Sequence, residues 1–248
     1  MVWHIFVIVG LTVLAGAFIP LGGLLARVEK IGSDWLEQEF RHFLIALGGG
    51  ILLGAVTVVL IPQGQESMGG SLFAIPAIVT GGLLFFLVER ILGLKRRESP
   101  QLMGMMLDFI PEAISLGGLA VLSPKTAVLM AVLIALQNLP EGFNAYREMI
   151  SQEGPGHSPR KTLTFMTSLV FTGPIAGLLG FFFLSEQPFI LGTVMLFASG
   201  GVMYLIFQDI APQSRLEHHW APPLGAVVGF CVALFSHCLL YTSDAADE

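Results

Sequence analysis

The sequence predicts an all-α polytopic membrane protein: an eight-transmembrane-helix bundle, both termini extracytoplasmic, with a truncated last helix. Three observations carry that prediction. Charged residues make up only 12% of the 248 and hydrophobic ones 54%, for a mean hydropathy of +0.78; a soluble domain carries about 25% charged residues. The apolar residues gather into eight runs of roughly the 20 residues that cross a bilayer. Lys and Arg collect in alternate connections, which is how a polytopic chain marks its cytoplasmic side.

The first run, 3–25, has no basic region ahead of it and is too long for a secretory signal, so it is read as a retained span. The runs 43–62, 71–93, 102–122, 126–146, 164–184 and 188–211 follow, and 221–240 closes the series. Connections are short, so residues 1–237 are expected to form a single transmembrane domain. The largest polar stretches are 26–42 and 147–163, and the second is rich in Gly, Pro and Ser, as flexible loops are. Residues 238–248, CLLYTSDAADE, cut an apolar helix short with a small acidic tail. The string resembles the translation of a sequencing-library adapter, and a non-native tail on an incomplete final helix is expected.

Arg27, Lys30, Arg41, Arg90, Lys95, Arg96, Arg97, Arg147, Arg160, Lys161 and Arg215 fall at connections 1–2, 3–4, 5–6 and 7–8; Lys125 alone falls on the other side. This places those connections in the cytoplasm and supports an even span count. Two cysteines, Cys231 and Cys238, make neither a metal spacing nor a disulfide framework. Gly50-x-x-x-Gly54 and Gly173-x-x-x-Gly177 let helices approach closely; bundle packing is the expected use and a homodimer contact the alternative. His4 and Trp3 read as an interfacial anchor, His157, His218 and His219 as solvated loop residues, and Glu66 and Glu186 as charges on the extracytoplasmic side.

Against this background, spans 4 and 5 stand out. Span 4 carries Asp108 and Glu112, and span 5 carries Gln137, Asn138 and Glu141. Positions four apart share a helix face, so each span presents a two-rung polar ladder. The spans run in opposite directions. Counted from the cytoplasmic ends, Asp108 lies at the depth of Glu141 and Glu112 at that of Gln137. An acid at mid-membrane costs about 2.5–3.5 kcal/mol on insertion scales, so three of them require an offset. A bound cation supplies one, and a protonated packing network is the plainer alternative. Pro111 and Pro140 each precede the glutamate and withhold an N–H from the carbonyls of Leu107 and Leu136, which then need other partners. Span 7 ends GGVMYLIFQDIAPQ, with Gln208 and Asp209 near its cytoplasmic end.

The x-x-x-P-E phrase on span 4, the Q-N-x-P-E-G phrase on span 5 and the Y-x-x-x-x-D-x-x-P phrase on span 7 resemble those of the ZIP (Zrt/Irt-like) divalent metal transporters. The resemblance runs from span 2 to span 8. It implies a metal site between spans 4 and 5, with Glu112, Gln137 and Glu141 at ligand positions and Asn138 and Asp209 as further members. Asp108 stands where the family usually has His, Phe109 where it has Asn, and Asp209 where it has Glu. Phe109 cannot coordinate, so one principal site is expected, with a weak or absent neighbour. An all-oxygen set shifts preference towards harder ions such as Mn²⁺, although Zn²⁺ also binds carboxylates. The histidine-rich loop of the family is missing between spans 3 and 4.

The expectation is uptake of a divalent cation (zinc, manganese or iron) into the cytoplasm across the cell membrane, past Asp209. The metal is cargo and no cofactor is expected; the other partner is the lipid bilayer, and nucleic acid is not expected to be one. A membrane metal sensor is one alternative. An intramembrane metalloenzyme is another, disfavoured because there is no His-Glu-x-x-His motif and no base outside the ligand set.

Overall fold

A computed structural model describes residues 1–28, 34–92, 100–151, 158–216 and 220–242. Lys30, Lys95, Arg96, Arg97, His157, His218, His219 and the end of the acidic tail lie outside the described residues. Eight helices are long and apolar enough to cross a membrane: Val2–Val28 (span 1), Gln38–Ser67 (span 2), Ala74–Ile91 (span 3), Gln101–Leu122 (span 4), Pro124–Ser151 (span 5), Pro159–Leu184 (span 6), Pro188–Ser214 (span 7) and Pro222–Leu239 (span 8). No strand occurs among the described residues.

Most helices outrun their apolar stretches. Span 1 continues to Val28, the helix of span 2 starts at Asp34, and span 5 continues to Ser151. The stretches 26–42 and 147–163 are therefore partly helical, because a helix hydrogen-bonds itself as well outside the hydrocarbon as within it. Span 6 is divided into Pro159–Leu169 and Thr172–Leu184. The division sits just before Pro174, whose missing N–H and ring disturb the turn at Val170.

Spans 2 and 7 each widen into a π-helical segment, Val56–Leu60 and Ile206–Ile210. In each case the second residue after the segment is proline, Pro62 or Pro212. The backbone N–H of Ile61 reaches back to the Val56 carbonyl, and that of Ala211 to the Ile206 carbonyl. A widened turn is a way to absorb the proline without breaking the span, and it changes which way the following side chains face.

Spans 2, 4, 5 and 7 have most of their residues buried and form the centre; spans 1, 3, 6 and 8 have only a minority buried. Span 1 packs on span 5 and span 6 on span 4; span 8 packs on span 2 and span 3 on span 7. Exchanging 1 with 6, 2 with 7, 3 with 8 and 4 with 5 leaves this pairing unchanged. Spans 4 and 5 also pack on each other, joined by a tight turn in which Ser123 Oγ and Thr126 Oγ1 lie 2.6 Å apart. Glycines set the closest approaches. A Cβ on Gly142 would strike the Ile19 backbone and one on Gly22 the Leu139 carbonyl. The two small-xxx-small patterns are used within the chain: Gly50 and Gly54 face Ala226 and Ala233 of span 8, while Gly173 and Gly177 face Thr12 of span 1.

Candidate metal site between spans 4 and 5

Both proline-bearing segments stay inside continuous helices, Pro100–Leu122 and Pro124–Ser151. Each proline carbonyl accepts a hydrogen bond from the side chain four residues on. Ser115 Oγ donates to the Pro111 carbonyl at 2.9 Å and Asn144 Nδ2 to the Pro140 carbonyl at 2.9 Å. These bonds tie down the turn that carries each glutamate.

The inner rung is a direct contact: Gln137 Nε2 donates to Glu112 Oε2 at 2.6 Å, with both residues fully buried. Asp108 and Glu141, the outer rung, line one cleft together with Asn144 and Asp209. Gly48 and Gly49 of span 2 form part of its wall. At the other end stand Gln101 and Gln213, in the turns of spans 4 and 7 next to the basic connections. The Gln101 backbone N–H donates to Glu148 Oε2 at 3.0 Å, and its side-chain amide donates to Gln213 Oε1. The mouth of the cleft thus links spans 4, 5 and 7.

Asn138 turns its amide towards span 1, donating to the Ala15 carbonyl at 2.9 Å. Phe109, one residue beyond Asp108, is fully buried where Gly16 of span 1 and Gly173 of span 6 leave room for its ring. Asp209 follows from the π-helical segment of span 7, whereas Tyr204 and Gln208 face span 3. Tyr204 Oη donates to Glu89 Oε2, and Gln208 Nε2 donates to Glu89 Oε1 at 2.9 Å. A sequence reading that counts acids at mid-membrane misses this anchored carboxylate, although an acid three residues from the end of an apolar helix was the available signal. It also misses Asn144, which lies three residues beyond Glu141 and so near the same helix face.

The electrostatic character of the region follows from what remains unpaired. Asp108 Oδ1, Glu112 Oε1, Gln137 Oε1, Asn138 Oδ1, both oxygens of Glu141 and Asn144 Oδ1 are buried with no hydrogen-bond partner. All are acceptors. Buried acceptors of this kind need a partner, because an unsatisfied polar group in an apolar interior is costly. These seven acceptors come from residues of spans 4 and 5 alone. The set is mixed, with three carboxylates and three amides. Among the described residues no three His, Cys, Asp or Glu side chains converge into a ready-made ligand cluster. Any such shell therefore has to recruit amide oxygens, and an amide can present either its oxygen or its nitrogen to a neighbour.

Comparison with known proteins points the same way. The chain is 25% identical to the zinc transporter ZupT of Chlorobium luteolum, over 93% of this chain and 96% of that protein. No protein-family model matches the chain. The similarity covers most of the chain and supports the resemblance to the ZIP transporters. Together with those helices it supports a multi-pass membrane protein.

Proposed function

We propose that this chain is a ZIP-type transporter that moves a divalent transition-metal cation across the cell membrane into the cytoplasm. The observation that carries the proposal is the group of buried, unpaired oxygens on Asp108, Glu112, Gln137, Asn138 and Glu141. The similarity to a zinc transporter supports a divalent metal as the cation class. Carboxylate and amide oxygens without imidazole or thiolate widen that class towards Mn²⁺ and Fe²⁺.

In this reading the ion sheds water on the extracytoplasmic side and binds between spans 4 and 5. Gln137 turns its oxygen to the ion as Glu112 exchanges an amide donor for the metal. The ion then leaves through the cleft past Asp209, between Gln101 and Gln213. The short turn between spans 4 and 5 lets the pair act as one hairpin, rocking against its neighbours around a fixed site. Metal binding requires deprotonated carboxylates, so the site's affinity for the ion depends on pH; proton exchange and facilitated flow are both compatible with it.

The test is uptake of Zn²⁺ and Mn²⁺ by proteoliposomes containing the purified protein. The Glu112→Ala, Glu141→Ala double variant is expected to take up neither ion above empty vesicles. Uptake at the unsubstituted rate would refute a site between these spans.

A further inference from the structure

Asn144 takes no part in the ligand set read from the sequence, yet it is the polar side chain that lies towards the cleft mouth from Glu141. Three residues along a helix advance about 4.5 Å, a single step for an ion passing between oxygen ligands. Its amide nitrogen is committed to the Pro140 carbonyl at 2.9 Å. That bond fixes the plane of the amide and leaves Oδ1 as the free end. Oδ1 is buried without a partner, the residue is 2% exposed, and it lines the same cleft as Asp108, Glu141 and Asp209. Its counterpart on span 4, 29 positions earlier, is Ser115. The Ser115 hydroxyl donates to the Pro111 carbonyl in the same way, but Ser115 is not part of the cleft lining.

We infer that Asn144 is a further cation ligand, a neutral oxygen that receives a divalent metal ion leaving Asp108 and Glu141 and passes it to Asp209. The inference rests on the transport reading above. A neutral carbonyl suits a transfer position, because it replaces a water of hydration without adding another negative charge to hold the ion.

Two substitutions separate this role from a structural one. Asn144→Ala removes both the oxygen and the donor; Asn144→Asp keeps an oxygen in place and removes the donor to Pro140. Each variant, with Glu141→Ala alongside, is reconstituted in proteoliposomes and assayed for Mn²⁺ and Zn²⁺ uptake. Recovery and monodispersity in detergent serve as the folding control. The expected result is a roughly tenfold lower maximal Mn²⁺ uptake for Asn144→Ala, in the range seen when metal-site partners are removed. Asn144→Asp retains uptake within about threefold and has a lower KM for the ion, since its added charge attracts cations. If the Ala and Asp variants lose uptake equally, the donor to Pro140 is what matters and the inference falls. It falls too if Asn144→Ala transports normally while Glu141→Ala does not, which leaves the transport reading standing. Normal uptake by Glu141→Ala removes both.

Discussion

Spans 4 and 5 carry one nine-residue frame 29 positions apart, LDFIPEAIS from Leu107 and LQNLPEGFN from Leu136. The shared positions do the same work in both. Each proline sits inside an unbroken helix, each glutamate follows it into the interior, and each proline carbonyl is bonded by a side chain four residues on. The differing positions divide the labour. On span 4, Phe109 fills space against Gly16 and Gly173; on span 5, its counterpart Asn138 donates to the Ala15 carbonyl and keeps a buried oxygen unpaired. One helix therefore gives up a donor position to packing while the other keeps it polar. A backbone frame can be duplicated while the chemistry mounted on it diverges, and the substitutions that matter are those that treat the two helices unequally.

The largest difference is expected at Phe109 and Asn138. Emptying a fully buried phenylalanine site costs about 3–5 kcal/mol, and the glycines around Phe109 bring no side chains to refill it. Phe109→Ala should therefore lower the unfolding temperature in detergent far more than Asn138→Ala, whose lost hydrogen bond is worth about 1–2 kcal/mol. Phe109→Leu should recover most of the loss. Equal destabilisation by the two alanines would mean that the helices are not specialised in this way.

Next come the two glutamates. Both oxygens of Glu141 are unpaired and it lines the cleft, whereas one oxygen of Glu112 is held by Gln137. Glu141→Ala should reduce Mn²⁺ uptake by about 100-fold, the upper end of losses at metal sites, and Glu112→Ala by about tenfold. A reversed order, read from initial uptake rates, would move the functional centre from the outer to the inner rung.

Much of this asymmetry was legible in the sequence, and its limits have physical causes. Hydropathy found the eight spans because a bilayer imposes one length on all of them. Counting residues along antiparallel helices matched Glu112 with Gln137 because helical rise is constant, and those two side chains are in contact. The π-helical segments at Val56–Leu60 and Ile206–Ile210 were not legible. A proline announces a disturbed turn without saying which form the repair takes. Asn138's bond to Ala15 was equally hidden, since it joins residues 123 positions apart and depends on how span 1 seats on span 5. The anchoring of Glu89 by Tyr204 and Gln208 between spans 3 and 7 is of the same kind.

A smaller effect is expected at Asp108, whose counterpart on span 5 is Gln137. Neither side chain offers nitrogen in the way imidazole does, and nitrogen is what raises preference for zinc over harder ions. Asp108→His should shift the Zn²⁺ to Mn²⁺ uptake ratio towards zinc by roughly tenfold, equivalent to ~1.4 kcal/mol. A competition assay with both ions present measures the ratio directly. An unchanged ratio would show that Asp108 is not among the groups that choose the ion.

The smallest effect, and the sharpest contrast, belongs to Ser115. It occupies the position on span 4 that Asn144 occupies on span 5, and both donate to a proline carbonyl at 2.9 Å. If that bond were the purpose of the position, serine and asparagine would be interchangeable and their alanine variants alike. Ser115, however, stands outside the cleft, whereas Asn144 retains a buried, unpaired oxygen inside it. Ser115→Ala should cost about 1 kcal/mol of stability or less and leave Mn²⁺ uptake within about twofold of the unsubstituted protein, the level expected when no metal-facing group is lost. The proline bonds then count as scaffolding common to both helices, and transport discriminates only between oxygens that face the cleft and those that do not. A loss of uptake by Ser115→Ala as large as that of Asn144→Ala would instead make the frame itself the functional element.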